Sequence, residues 1–249
     1  MSHRQIKVEV CIESVGDALT AAKAGADRLE LCSALTFGGL TPSVAMIEAV
    51  RKVVDLPIMV LVRPRPGGFC YGDTEFSVLI REIELALRAG ADGIVSGALA
   101  EAGEIDRSRC QQIIAAAEGK PVVFHRAFDF TPRPLAALEE LIELGFTRIL
   151  TSGQRSKAIE GADLIQKLLD QAAGRIEILP GGGINAGNVV DLLNLTGCDQ
   201  IHASARQTCV DPSVRHRPDL ALAFNDIKQP NQHCFASEQR LADLVAQLR

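Results

Sequence analysis

What most constrains this chain's fold is the alternation of short β-branched runs with longer amphipathic ones, repeated along most of its length. Such alternation marks βαβ units and a parallel sheet. Strands are predicted at 7–13, 27–32, 57–63, 92–96, 121–126, 147–151, 175–179 and 200–204, which makes eight. A weak internal repeat supports the count. Gly25-Ala-Asp27, Gly90-Ala-Asp92, Gly145-Phe-Thr147 and Gly197-Cys-Asp199 each close a helix and open a strand, at spacings of 65, 55 and 52 residues. Each spacing holds two βα units, and eight units in 249 residues is the size of a (β/α)8 TIM barrel. The doubly wound open sheet is the alternative, but no GxGxxG follows the first strand. The expected organisation is α/β, one domain over 1–249, with a barrel core at about 7–206 and a C-terminal loop and helix at 207–249. Residues 211–232 read as an irregular polar excursion and 236–248 as the last amphipathic helix. Helix starts are expected at Ser14 (a capping box with Asp17), Thr41-Pro42, Thr131-Pro132 and Asn185.

Composition narrows the function classes. The net charge is -5, aromatics are 4% and there is no Trp, which disfavours a nucleic-acid partner. No run approaches the ~18 apolar residues a membrane helix requires, and the first residues lack the apolar segment of a secretory signal. Seven cysteines, none spaced CxxC, give no disulfide framework or zinc cluster. A reduced, cytoplasmic protein is expected.

Strand side chains alternate faces, and helices cover the outside of a barrel. Val8, Val10 and Ile12 should then face outward, and Glu9, Cys11 and Glu13 inward. The same parity sends Glu30, Cys32, Arg63, His125, Glu177, His202 and Ser204 inward. Buried ionisable groups must pair, shift their pKa or meet a ligand. One reading is an internal salt-bridge network of Glu9, Glu30 and Glu177 with Arg63 and Arg65. The other is a polar site at the C-terminal mouth, where barrel enzymes keep their chemistry.

Cys11 and Cys32 lie on adjacent strands about 4.8 Å apart. Their sulfurs would suit a soft ion such as Cu(I), or would simply pack as small hydrophobes. Gly181, Gly182 and Gly183 follow the seventh strand, and Ser204 and Arg206 the eighth. Loops at that position often bind phosphate in barrels, and Arg63 and Arg65 after the third strand suit carboxylate or phosphate. These seven residues are the candidate anion site. Glu9, Glu30, His125 and Asp129 are the candidate acid/base groups, His125 and Asp129 as a pair.

Together, Val8-Glu-Val-Cys11, Gly25-Ala-Asp-Arg-Leu-Glu-Leu-Cys32, Gly38-Gly-Leu-Thr-Pro-Ser43, Arg63-Pro-Arg65, Phe124-His-Arg-Ala-Phe-Asp129, Leu150-Thr-Ser-Gly153 and His202-Ala-Ser204 resemble the CutC family across most of the chain. The resemblance implies a self-associating cytoplasmic TIM barrel, a role in copper homeostasis, and Cu(I) held by Cys11 and Cys32. One position departs: the family commonly has an Asp where Gly68 stands. The competing expectation is an enzyme acting on a small anionic or phosphorylated metabolite at the barrel mouth.

Overall fold

A computed structural model describes residues 5–217, 219–220 and 232–249. All eight expected strands form: β1 (Lys7–Ile12), β2 (Arg28–Leu31), β3 (Ile58–Leu61), β4 (Gly93–Ser96), β5 (Val122–Phe124), β6 (Arg148–Thr151), β7 (Glu177–Pro180) and β8 (Gln200–Ala203). They run parallel in the order β7-β6-β5-β4-β3-β2-β1-β8. A single parallel bridge, Gly181 to His202, draws the two ends of the sheet together. The fold is a (β/α)8 barrel. Its outer coat is α1 (Val15–Lys23), α2 (Val44–Arg51), α3 (Asp73–Arg88), α4 (Arg107–Ala116), α5 (Pro134–Leu144), α6 (Ala162–Ala172), α7 (Val189–Thr196) and α8 (Glu238–Ala246).

The period-two pattern explains the layers. Val8, Val10 and Ile12 are buried beneath the helices in the large core, as expected. The barrel interior is filled by a second cluster that includes Met59, Leu61, Val95, Val123, Leu150 and Leu179. Gly93 leaves a gap in that interior. A Cβ there would collide with the thioether of Met59, so β4 contributes no side chain at that level and Met59 fills the space.

Helix starts differ from expectation in three places. Ser14 caps α1 as expected, accepting from the Asp17 N–H at 3.1 Å. The other caps fall two or three residues later, at Ser43 rather than Thr41, Arg133 rather than Thr131, and Asn188 rather than Asn185. The displaced residues do other work. Thr41 Oγ1 accepts the Arg63 N–H at 2.9 Å, Thr131 O accepts from Gln154 Nε2 at 2.6 Å, and Asn185 Oδ1 turns the chain by accepting the Gly187 N–H.

The C-terminal excursion, expected at 211–232, is flanked by structure that the sequence did not announce. β9 (Arg206–Val210) and β10 (Gln232–Ala236) form an antiparallel ribbon, with a 3-10 turn at Pro212–Val214. Residues 221–231 of the expected excursion lie outside the described residues. Among the described residues, no helix is long and apolar enough to cross a membrane.

Candidate functional site

The inward polar side chains sort into two levels. At the lower level, Glu9 of β1 stands beside Arg28 of β2 in register, and the Arg28 Nε donates to Glu9 Oε2. Arg28 Nη2 reaches Gln200 Oε1 at 3.0 Å, and Gln200 Nε2 donates to Glu177 at 3.2 Å. Arg148 Nε closes the chain on Glu177 at 2.6 Å. This corrects the expected network: Glu9 and Glu177 are matched by Arg28 and Arg148, not by Arg63 and Arg65. Arg28 shares the face of Glu30 by simple parity, so the signal was present. Burial opposes ionisation of Glu9, but the His202 hydrogen bond and the Arg28 charge overcome it and hold its carboxyl at about 2.

Above this level sits the thiol pair. Cys11 and Cys32 are both buried, with their sulfurs 3.6 Å apart. Cys11 Sγ donates to Glu30 Oε2 at 3.2 Å, and Cys32 Sγ to the Ile12 carbonyl at 3.4 Å. His202 of β8 joins them because β8 lies against β1. Its Nδ1 is 2.8 Å from Glu9 Oε1, and its Nε2 is 3.6 Å from Glu30 Oε2. Ligand atoms of Cys11, Glu30 and His202 all lie within 4.8 Å of one another. Burial disfavours the imidazolium, yet Glu30, Cys11 and Glu9 together raise the His202 pKa well above its ordinary value. The hydrogen bond to Cys32 and then burial push the Cys11 thiol up, and burial raises Glu30. His202 was read as inward but not as a site residue. What would have found it is the closure of the barrel, which makes the first and last strands neighbours.

The mouth itself is a cavity of about 300 Å³. Cys11, Glu30 and His202 form part of its wall, and Arg63, Phe69 and His125 another. Gly182, Gly183, Ser204 and Arg206 also line it, as the sequence suggested. Gly181, Arg65, Cys32, Glu9 and Asp129 do not. Gly181 is committed to the β7–β8 bridge, and Arg65 is bound to Glu75 at 2.5 Å and to the Cys70 carbonyl at 2.8 Å. After β8 the chain enters β9, so the helix N-terminus that completes a usual barrel phosphate site does not follow directly.

His125 and Asp129 are engaged separately. Asp129 accepts from Thr151 Oγ1 at 2.5 Å, from the Ser152 and Gln154 N–H groups at 3.1 Å, and from Arg126 Nε at 2.8 Å. It ties the loop after β6 to the 3-10 turn at Arg126–Phe130, which accounts for the Thr-Ser-Gly stretch. His125 Nδ1 instead accepts the Ala127 N–H at 3.3 Å. Burial and the nearby Arg63 charge depress the His125 pKa to about 3, so its ring is neutral. Arg126 and Phe69, both in the cavity wall, were not singled out from sequence. Phe69 is a loop residue, about which parity says nothing; Arg126 ended the fifth expected strand with the parity opposite to His125, but the structure puts it in the 3-10 turn Arg126–Phe130.

Arg63 is held by the loop after β2. Its Nη1 donates to the Phe37 and Gly39 carbonyls at 3.0 and 2.8 Å, and its Nη2 to Gly67 O at 2.7 Å. This explains the Gly38-Gly39 pair. Both glycines have positive φ, and a Cβ at Gly39 would lie 2.6 Å from Leu61 Cδ2. Gly68, where the resemblance leads to the expectation of an Asp, is open: a Cβ there would meet nothing within 4 Å beyond its chain neighbours.

A model of the CutC family matches residues 6–207. A CutC family protein from Treponema denticola is 49% identical over 217 residues, 87% of this chain and 88% of that protein. The human copper homeostasis protein cutC homolog is 49% identical over 201 residues, 81% of this chain and 74% of that protein. The crystal structure of CutC from Streptococcus agalactiae matches with a TM-score of 0.77 at 35% identity, over 80% of this chain and 98% of that one. Phosphoribosyl anthranilate isomerase from Thermotoga maritima, at 14% identity and a TM-score of 0.58, shares the fold alone.

Proposed function

This chain belongs to the CutC family, and from that premise we propose that it binds Cu(I) between Cys11 and Cys32 as part of copper homeostasis. The observation that carries this reading is the buried sulfur pair 3.6 Å apart. Two metal–thiolate bonds of about 2.3 Å reach across such a gap. Thiolates select soft monovalent copper over hard cations, and Cys11 and Cys32 would hold it once both protons leave. His202 and Glu30 stand within reach as further donors. Unbridged thiols as a binding pair suit a reducing compartment such as the cytoplasm. Proteins with the same family assignment carry copper homeostasis in their names.

The test is an anaerobic Cu(I) titration of the reduced protein against a competing chelator, with Cys11→Ser/Cys32→Ser alongside. One tight equivalent per chain, lost in the double variant, supports the reading. Equal affinity in both proteins removes the pair as a copper site.

A further inference from the structure

Three arginines line the mouth, and two have an acidic partner: Arg126 with Asp129 and Arg206 with Glu13. Arg63 has none among the described residues, although it is only 5% exposed. Its Nη groups are spent on three loop carbonyls, and its Nε finds no acceptor. His125 repeats the pattern. Its Nδ1 accepts the Ala127 N–H, which places the ring proton on Nε2. That Nε2 also finds no acceptor, and the residue is 4% exposed. A buried donor without an acceptor is destabilising, so two in one cavity wall call for a ligand.

Phe69 covers both. Its ring centroid lies 5.2 Å from the Arg63 guanidinium carbon and 4.8 Å from the His125 ring. It sits on the loop after β3, where Pro66, Gly67, Gly68 and Cys70 are exposed. We infer that the cavity at the barrel mouth binds a small oxyanion, a carboxylate or a phosphate, on Arg63 Nε and His125 Nε2, with Phe69 as the side chain that must move aside. A negative ligand balances the mouth guanidinium that has no acid among the described residues. Its oxygens satisfy both donors at once, as charge-assisted bonds. A cavity of about 300 Å³ limits the ligand to a small metabolite. The site does not depend on copper and stands whether or not the thiols bind it.

The test follows the Arg63 Nε–H signal in ¹⁵N-labelled protein during titration with sodium acetate and, separately, inorganic phosphate at constant ionic strength. Loss of the signal in Arg63→Lys assigns it, and neutral acetamide is the control. A saturable shift with either anion, and none with acetamide, is expected. Acetate alone points to a carboxylate metabolite, and phosphate alone to a phosphorylated one. His125→Phe should weaken binding about tenfold, the loss of one charge-assisted bond. His125→Gln, which keeps an N–H donor, should lose less, and Phe69→Ala should speed association. No saturable shift with either anion, an equal shift with acetamide, or unaltered affinity in a folded His125→Phe would each overturn the assignment.

Discussion

The lower interior of the barrel and its mouth are built from the same residue types, yet they resolve their charges differently. Below, Glu9, Arg28, Gln200, Glu177 and Arg148 form one continuous chain in which every acid has an arginine. One nitrogen, Arg148 Nη1, is left over. Above, Arg63 and His125 keep unpaired donors beneath an aromatic ring, and the two thiols face a carboxylate and an imidazole. A buried ion network that satisfies itself needs no ligand and serves the fold. A buried polar surface that does not satisfy itself is where a ligand gains most, because the desolvation cost was met when the chain folded.

Breaking the lower network should have the largest effect. Arg28→Met leaves the Glu9 carboxylate with His202 alone as its direct partner among the described residues, and removing one partner of a buried pair costs about 3–5 kcal/mol. Urea unfolding measures it. Adding Glu9→Gln should return a large part of the loss. A cost under about 1 kcal/mol would mean that the lower network is no more structural than a surface pair.

The second effect concerns acid. The His125 value of about 3 lies below that of an unfolded imidazole. Below pH 6.5 the unfolded chain therefore takes up a proton that the folded chain refuses, and stability falls with pH until about 3. Between pH 7 and pH 5 this group alone should remove about 2 kcal/mol. The difference between wild type and His125→Phe, followed by urea unfolding across that range, isolates it. Parallel pH profiles would show that His125 is not held neutral. The smallest effect is expected from Gly68→Asp. The position is open, so stability should move by no more than about 0.5 kcal/mol. A larger change by the same measurement would show that the loop after β3 is tightly coupled to the mouth.

The strand count, their parallel arrangement and the identity of most inward residues were legible, because period-two alternation is a local signal. So were Cys11, Glu30, Arg63 and His125 as residues of the interior. What was not legible is pairing. Arg63 and Arg65 are two residues apart and look equivalent, yet one is enclosed by carbonyls of the loop after β2 and the other by Glu75. His125 and Asp129 are close in sequence, but the 3-10 turn between them sends one to the cavity and the other to the loop after β6. Which partner a side chain meets depends on loops, and loops carry no period.

The manner in which the coat of helices is completed has a consequence for synthesis. Helix α8 lies against α1: Val245 approaches Gly25, Lys23 pairs with Glu238 at 2.6 Å and Arg249 with Asp27 at 3.1 Å. Asp17 of α1 accepts the Ala236 N–H at 2.7 Å, just before α8 begins. Helix α1 is thus covered by a helix that is synthesised long after it. Until α8 emerges, the nascent chain carries an uncovered seam beside β1, the strand that bears Glu9 and Cys11.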